Sequence, residues 1–432
     1  MLIYTPKITS RLRFIFELIF DDILGLDFNI TDDLEEFIQF NDAKISYCQE
    51  QVYDEPFFYA TTLLFENEIK EQEVSVFECE GAKCFFSTNQ SSTFPFDPFA
   101  ASFYLVTRYE EYLPQIRDQY DRFFAKEGIA FKNGFLDKPI VNIWAQMLKK
   151  RLLESYTDLK FADRPYKFIP TIDVDYTFAF LEKGVMRTLG SYAKSIMDLD
   201  FNDLKERTKV LLHKKQDPYD TFDYLLELHQ KYELDPVYFF LVADYDVNDK
   251  NISIHSRKFR NIIKSMADYV KVGIHPSFAS NYQHHKLQKE LNRLSTIIKR
   301  DVTTSRQHFL KITFPDTYRR LMDLDIIEDY SLGYATDPGF RASICTPFYY
   351  YDLDIEGKTN LKLFPFCLMD ATLKYYMNVR PNEAVDHFKP LIEEVKKVNG
   401  TFITIWHNDA LSEHKVWSGW KCVYEELLKA AA

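Results

Sequence analysis

FIPTIDVDYT, residues 168–177, is the stretch on which the fold turns: a β-branched, apolar run that ends in two aspartates, Asp173 and Asp175, spaced i and i+2. Alternate side chains on a β-strand face the same way, so both carboxylates project together from the strand's carboxyl end. That end is where α/β enzymes present metal ligands and bases. Two like charges so close repel strongly unless a cation or a proton relieves them. The pair therefore implies a bound metal, a shifted pKa, or both.

Further strand-like runs follow at 237–242, 270–274, 302–305, 361–366 and 401–406, after the first at 168–174. Helical patterns fit between them at 221–232, with Asp220 as the capping candidate, at 257–269 and at 286–300. Alternating strand and helix predicts a parallel sheet, open or closed into a barrel. The polar residues gather at the predicted carboxyl ends: Asp173, Asp175, His275, Arg306, His308, Asp370 and His407. Upstream, residues 1–160 mix short helical patterns with a few strand-like pieces, and no polar pair there stands out as chemical. A Ser, Thr and Pro-rich patch at 87–98 reads as a loop before a helix at 100–112. Apolar residues recur at helical spacing over 140–153 (Ile143, Met147, Leu148, Leu152). Asp163 and Pro165 then mark a boundary, giving a smaller mixed α/β first domain, 1–160, and a second domain, 161–432.

A chain of 432 residues is longer than one core usually fills, which also favours two domains. With 38 Phe and 28 Tyr it is rich in aromatics, whereas 12 Gly and the absence of GxGxxG or GxxxxGK[ST] argue against a glycine-rich phosphate loop. A net charge of −12 disfavours nucleic acid as a partner. The six cysteines form no CxxC pair and read as free thiols in a reducing compartment. The apolar stretch 14–20 is interrupted by Glu17 and followed by Asp21 and Asp22, and no run approaches the roughly 18 apolar residues a membrane span needs. The expectation is a cytoplasmic protein without a membrane span.

Each polar residue has two readings. His275, in VGIHPSFAS, is a strand-end structural histidine or a metal ligand; with Asp175 it makes a partial shell for Zn²⁺, which takes N and O donors. His308, in SRQHFLK, is the candidate third ligand, ahead of the tandem pair His284 and His285 in NYQHHKL, which suits a solvated surface. Arg306 is a surface charge or the group that keeps Asp173 ionised and oriented. His407, in ITIWHNDAL, is a buried core histidine or a general acid whose tautomer Asp370 fixes. DVDYT also fits the DxDxT nucleophile pattern of haloacid-dehalogenase-type phosphatases. No GDxxxD-like element follows, however, and His275, Arg306 and His407 would then have no role.

Taken in order, TIDVD, GIHPS, SRQH, LMDATL and IWHND resemble the five motifs of the polysaccharide deacetylases of carbohydrate esterase family 4, the NodB-homology proteins, over residues 165–425. The resemblance implies a distorted parallel (β/α) barrel. It also implies a hydrolase that removes acetyl groups from an N-acetylated or O-acetylated carbohydrate with a divalent metal, zinc being the expected ion. Asp173 would be the catalytic base, Asp175 and His275 metal ligands, Arg306 the tether of the base, Asp370 the fourth-motif acid and His407 the catalytic acid. DPGFRASICTPF, containing Arg341, and DPFAASFYLVTRYEEYL resemble a bacterial subgroup that joins such a domain to an uncharacterised N-terminal region. Two departures stand out. The family's second motif carries another histidine four residues after the first, where this chain has Ala279 beside Ser280; the third reads Arg-x-Pro, where this chain has Arg306, Gln307, His308. Either His308 or water completes the coordination, or metal affinity falls and the chain is a catalytically weakened carbohydrate-binding protein on a deacetylase scaffold. Tyr176, Phe278, Phe340 and Phe348 are the aromatics expected at the mouth, where they would stack on sugar rings.

Overall fold

The chain begins with four short strands, β1 (Leu2–Tyr4), β2 (Asn29–Thr31), β3 (Lys44–Cys48) and β4 (Phe57–Tyr59), which pair in parallel in the order β2-β1-β3-β4. The computed structural model describes residues 1–88 and 91–432, so two positions of the expected 87–98 loop lie outside the described residues. An antiparallel hairpin, β5 (Phe77–Cys79) with β6 (Ala82–Cys84), comes next. The helix expected at 100–112 runs over Pro98–Val106: Pro98 opens it, and the Asp97 carboxylate accepts the N–H groups of Phe99 and Ala100. The helix expected at 140–153 runs over Ile140–Ser155 and buries Val141, Trp144, Leu148 and Leu152 along one face.

From residue 167 the chain builds a second sheet from β7 (Lys167–Val174), β8 (Val237–Phe240), β9 (Lys271–Ile274), β10 (Thr304–Ser305), β11 (Glu328–Asp329), β12 (Phe348–Asp352), β13 (Gly357–Leu363), β14 (Leu368–Met369) and β15 (Thr401–His407). Their order is β12-β13-β11-β10-β9-β8-β7-β15-β14, and every pairing is parallel except β12 with β13. The implied barrel does not close, because among the described residues no ladder joins β12 to β14. One edge strand has only two residues, and the other edge is a hairpin arm rather than a βα unit. The expected strand at 361–366 is displaced to Gly357–Leu363, since it pairs back onto β12 and Pro365 stops it. Helices Phe222–Lys231, Arg257–Tyr269 and His284–Ile298 occupy the three expected places, although Thr221 rather than Asp220 takes the N-cap of the first.

β7 is the longest strand and lies inside the sheet, two strands from the β14 edge; Ile172 and Val174 are buried, and β8 and β15 flank it. Gly273 in β9 is required by packing, because a Cβ there would meet the Phe239 ring at 2.7 Å. One continuous apolar core runs beneath both sheets, and Phe14 from the first 160 residues packs 4.9 Å from the Tyr351 ring. A buried ionic cluster joins the same two parts of the chain. Arg341 donates to both Glu111 carboxylate oxygens, at 2.9 and 2.5 Å, and Arg108 donates to Glu111 at 2.8 Å and to the Arg341 carbonyl.

Candidate metal and active site

Strand register brings the sequence-distant residues together. Asp173 is paired with His407 across β7 and β15, and Ser305 with Ile274 across β10 and β9, so Arg306 and His275 leave adjacent strands side by side. Asp173, Asp175, His275, His308 and His407 all line one pocket of about 480 Å³ at the carboxyl end of the sheet. His284 and His285 lie exposed at the start of a helix, away from it.

Three imidazoles converge on Asp175. His275 Nε2 is 3.2 Å from its Oδ1, His308 Nε2 is 3.4 Å from its Oδ2, and His407 Nε2 is 3.8 Å from its Oδ2. The other nitrogen of each ring is already held by an oxygen: His275 Nδ1 by the Arg306 carbonyl at 2.6 Å, His308 Nδ1 by Asp249 at 2.8 Å, and His407 Nδ1 by Asp370 at 2.7 Å. A carbonyl or carboxylate oxygen only accepts, so Nδ1 carries the proton, and in the neutral ring Nε2 offers a lone pair. With the rings neutral, their Nε2 lone pairs and the buried Asp175 Oδ1, which has no hydrogen bond, form a donor set that suits a cation. Asp175, His275 and His308 each offer one atom within 4.8 Å of the others, two nitrogens and an oxygen, which suits a divalent ion such as Zn²⁺. Asp249 and Asp370 do for these rings what carboxylates commonly do for metal-bound histidines.

The electrostatics follow the same geometry. Burial by itself raises the Asp175 carboxyl, but the His308 and His275 imidazoles outweigh it and hold that carboxyl well below the usual range. Burial lowers His308, yet Asp175 and Asp249 bring it up to about 9. Burial also opposes charge on His407, and the Asp370 carboxylate, with help from Asp175 and Asp173, raises it well above an ordinary imidazole. Asp370 is fully buried and grips His407 twice, through Nδ1 and through the backbone N–H at 2.8 Å. Arg306 is buried beneath the site, donates to Asp173 at 2.9 Å, and stacks 4.6 Å over the Phe239 ring. Its side chain does not line the pocket, so the guanidinium acts through Asp173, while the Arg306 carbonyl anchors His275.

Two expected mouth aromatics are elsewhere: Phe340 and Phe348 are buried core residues. Phe278 packs against the Tyr282 and Phe309 rings, and of the four expected only Tyr176 lines the pocket. The wall is instead built by Tyr120, Phe309, Tyr375, Tyr376 and Trp417. Tyr375 and Tyr376 arrive on a π-helical turn, Thr372–Tyr376, closed by Met377 N–H to Thr372 O at 3.0 Å. Asp409, two residues past His407, accepts the Trp417 indole N–H at 3.1 Å, and burial raises its carboxyl to about 6.

A tight turn at 117–123, far upstream in sequence, overhangs the pocket. Arg122 is clamped to Asp118, donates to the Phe309 carbonyl at 2.9 Å and reaches the Tyr376 hydroxyl at 3.3 Å, while Tyr120 packs 4.9 Å from the Phe309 ring. Phe309 and Leu310, directly after His308, both have left-handed backbone, with φ of 61° and 56°. Such conformations cost about 1–3 kcal/mol each and persist where surrounding contacts fix them, as Arg122 does here. Asp409 is the last residue of the IWHND string and so had a sequence signal. Asp249, in an irregular loop, and Tyr120 and Arg122, in the first 160 residues, had none.

Comparison with solved structures finds similarity at low identity. A candidate polysaccharide deacetylase from Mycobacterium smegmatis is 13% identical, with 63% of this chain and 85% of that chain covered and a TM-score of 0.39. A polysaccharide deacetylase from Bacillus cereus is 10% identical, covering 61% and 87%, with a TM-score of 0.30. A carbohydrate esterase family 4 pseudoenzyme from Bacillus anthracis is also 10% identical, covering 61% and 63%, with a TM-score of 0.29. No curated protein matches the chain. A family of unknown function, DUF7033, matches residues 1–157, the part of the chain that supplies Tyr120 and Arg122 to the pocket.

Proposed function

We propose that the protein is a metal-dependent hydrolase that removes the acetyl group from an acetylated amino sugar. The observation that carries this reading is the convergence of three Nδ1-anchored imidazoles on the Asp175 carboxylate, next to Asp173 held by Arg306. Asp175, His275 and His308 would hold the cation, with His308 in the part that the absent histidine at Ala279 plays in the resembled family. Zinc is the ion proposed. A divalent ion bound there supplies Lewis acidity toward an acyl oxygen and makes water acidic enough to ionise near neutral pH.

The remaining steps belong to the chain. Asp173, held in place by the Arg306 guanidinium, takes the proton of the attacking water. His407, whose Nδ1–H is held by Asp370, gives the proton on its Nε2 to the departing amine as the C–N bond breaks, so that acetate and a free amine result. Tyr375, Tyr376 and Trp417 offer faces on which a sugar ring can stack, and the Asp409 carboxyl can accept from its hydroxyls. In this reading residues 161–432 are the catalytic domain and residues 1–160 an accessory domain that lends one wall to the pocket.

The test is metal analysis of the purified protein followed by acetate release from N-acetylglucosamine oligosaccharides and sugar nucleotides. Asp173→Asn and His407→Ala are expected to lower the rate by about 10²–10⁴-fold each, with unchanged thermal unfolding. Full activity in both variants overturns the assignment. Metal and sugar binding without acetate release would indicate a binding protein on this scaffold, and Mg²⁺-dependent phosphate release would indicate the phosphatase.

A further inference from the structure

The helix Val185–Met197 is mounted with its apolar side outward. At helical spacing Val185, Leu189, Ala193 and Ile196 share one face, with Met186 and Met197 beside them, and this is the face turned to solvent. Met186 and Met197 are each 82% exposed, Leu189 59% and Ile196 57%. Towards the protein the helix presents hydroxyls. Ser195 is its buried residue and donates to Asp203 at 2.6 Å, and the Tyr192 hydroxyl meets Thr208 at 2.8 Å. An amphipathic helix on a water-facing surface has the opposite arrangement.

The outward surface continues past this helix. Leu199, Phe201 and Leu212 are exposed beside it, Phe201 being the first residue and Leu212 the C-cap of the following helix, Phe201–Leu211. The pair of helices is fixed to the body through polar contacts at its base. Asp203 pairs with Arg207 and with Lys415, both at 2.7 Å, and the Asp217 carboxylate accepts the N–H groups of Ala179, Phe180 and Leu181. The exposed apolar side chains are therefore not the loose edge of a core, since the small cluster under the helices is a separate one, formed by Ala179, Phe180 and Val210.

Charge identifies what covers this face. Lys194, Lys205 and Lys209 are exposed along the same two helices, and residues 182–215 carry eight Lys and Arg against five Asp and Glu in a chain whose net charge is −12. Exposed hydrophobic side chains with exposed lysines on the same two helices, outnumbering the exposed Glu182 and Asp198, match a surface that is negative outside and hydrocarbon inside. A second copy fits less well, because a two-fold contact through this face would set the lysines of one copy against those of the other. Among the described residues no helix is long and apolar enough to cross a membrane, so the contact would be made along the interface plane. We propose that the helical pair 185–212 is a peripheral anchor that docks the protein on an anionic lipid bilayer. The inference does not depend on the proposed reaction.

The experiment is co-sedimentation of the full chain with vesicles of phosphatidylglycerol and phosphatidylcholine, and with vesicles of phosphatidylcholine alone, at low and high salt. Binding is expected only to the anionic vesicles, falling as salt rises. It should drop by about tenfold or more in the double variant Leu189→Glu, Ile196→Glu and in the triple variant Lys194→Gln, Lys205→Gln, Lys209→Gln. All five positions are exposed, and unchanged circular dichroism and thermal unfolding verify that the variants fold. The triple variant retains the apolar face if the double variant misfolds. Absence of binding to anionic vesicles, or binding that neither variant weakens, overturns the proposal. A dimer seen by light scattering that the double variant dissociates, with no vesicle binding, also overturns it and assigns the face to a second copy.

Discussion

Asp249 shows how a single side chain can decide whether an altered motif still works. Where the resembled family has a second histidine, this chain has Ala279, and in the proposed function the vacated role falls to His308, whose ring is aimed by the Asp249 carboxylate at 2.8 Å. The same carboxylate accepts the Phe278 N–H at 2.9 Å, so it positions the turn next to Ala279 as well. Replacing Asp249 with Asn leaves the ring free to rotate or to take the other tautomer. Zinc affinity, measured by competition with a chromophoric chelator, is expected to fall by about 10–100-fold in Asp249→Asn. In His275→Ala and Asp175→Asn it should fall further still. Unaltered affinity in Asp249→Asn would show that His308 needs no such support. His308 was legible because it stood at the altered third motif, whereas Asp249 was not, since a loop aspartate among 65 acidic residues carries no signal until the chain is folded.

At the level of elements, the strands that position the site were readable where β-branched and aromatic residues run together, as in β7, β9 and β15. The two-residue strands β10, β11 and β14 could not be read with the same accuracy, because so short a ladder is set by neighbouring strands rather than by local propensity. The helix Val185–Met197 was not among the expected elements although its apolar residues recur at helical spacing, and its orientation was not legible, since periodicity reports that a helix has an apolar side, not which way that side faces. Behind His275, the turn Phe278–Asn281 is clamped from the helix His284–Ile298. Buried Glu290 accepts the Ser277 N–H at 2.9 Å and the Ser277 hydroxyl at 2.6 Å. Burial raises the Glu290 carboxyl from 4.5 to about 7. The folded state therefore holds this proton more tightly than the unfolded state, a contribution that is full below the unfolded pKa and is lost as pH rises through about 7. Glu290→Gln preserves the shape without the titration. Urea unfolding is expected to find the variant about 1–3 kcal/mol more stable than the parent near pH 8.5, with the difference gone near pH 4.5. An equal difference at both pH values would refute this account.

Across the whole molecule, the continuous core and the Glu111 cluster tie the first 160 residues to the second sheet. Glu111 pairs with two guanidiniums that are both nearly inaccessible, and these pairs hold its carboxyl below its ordinary range despite burial. Glu111→Ala would leave buried Arg341 without its carboxylate partner and Arg108 with Glu110 alone, and chemical denaturation is expected to register a loss of about 3–5 kcal/mol. Because the core is shared, the parent should unfold in one transition; two separated transitions would mean that the parts fold independently. The division of the chain could be proposed from composition and from the Asp163–Pro165 break, but the extent of contact across it could not, since it depends on pairs such as Glu111 and Arg341, 230 residues apart.

The turn at 117–123 is the feature with the widest reach. Because Tyr120 and Arg122 roof a pocket whose reactive groups all come from beyond residue 170, one part of the wall that a ligand would meet is written in a separate stretch of the gene from the parts that would do the chemistry. Insertions or substitutions in that upstream stretch can retune which molecule enters while the reactive groups stay untouched. A truncated chain starting near residue 161 would thus be a poor guide to the selectivity of the intact one.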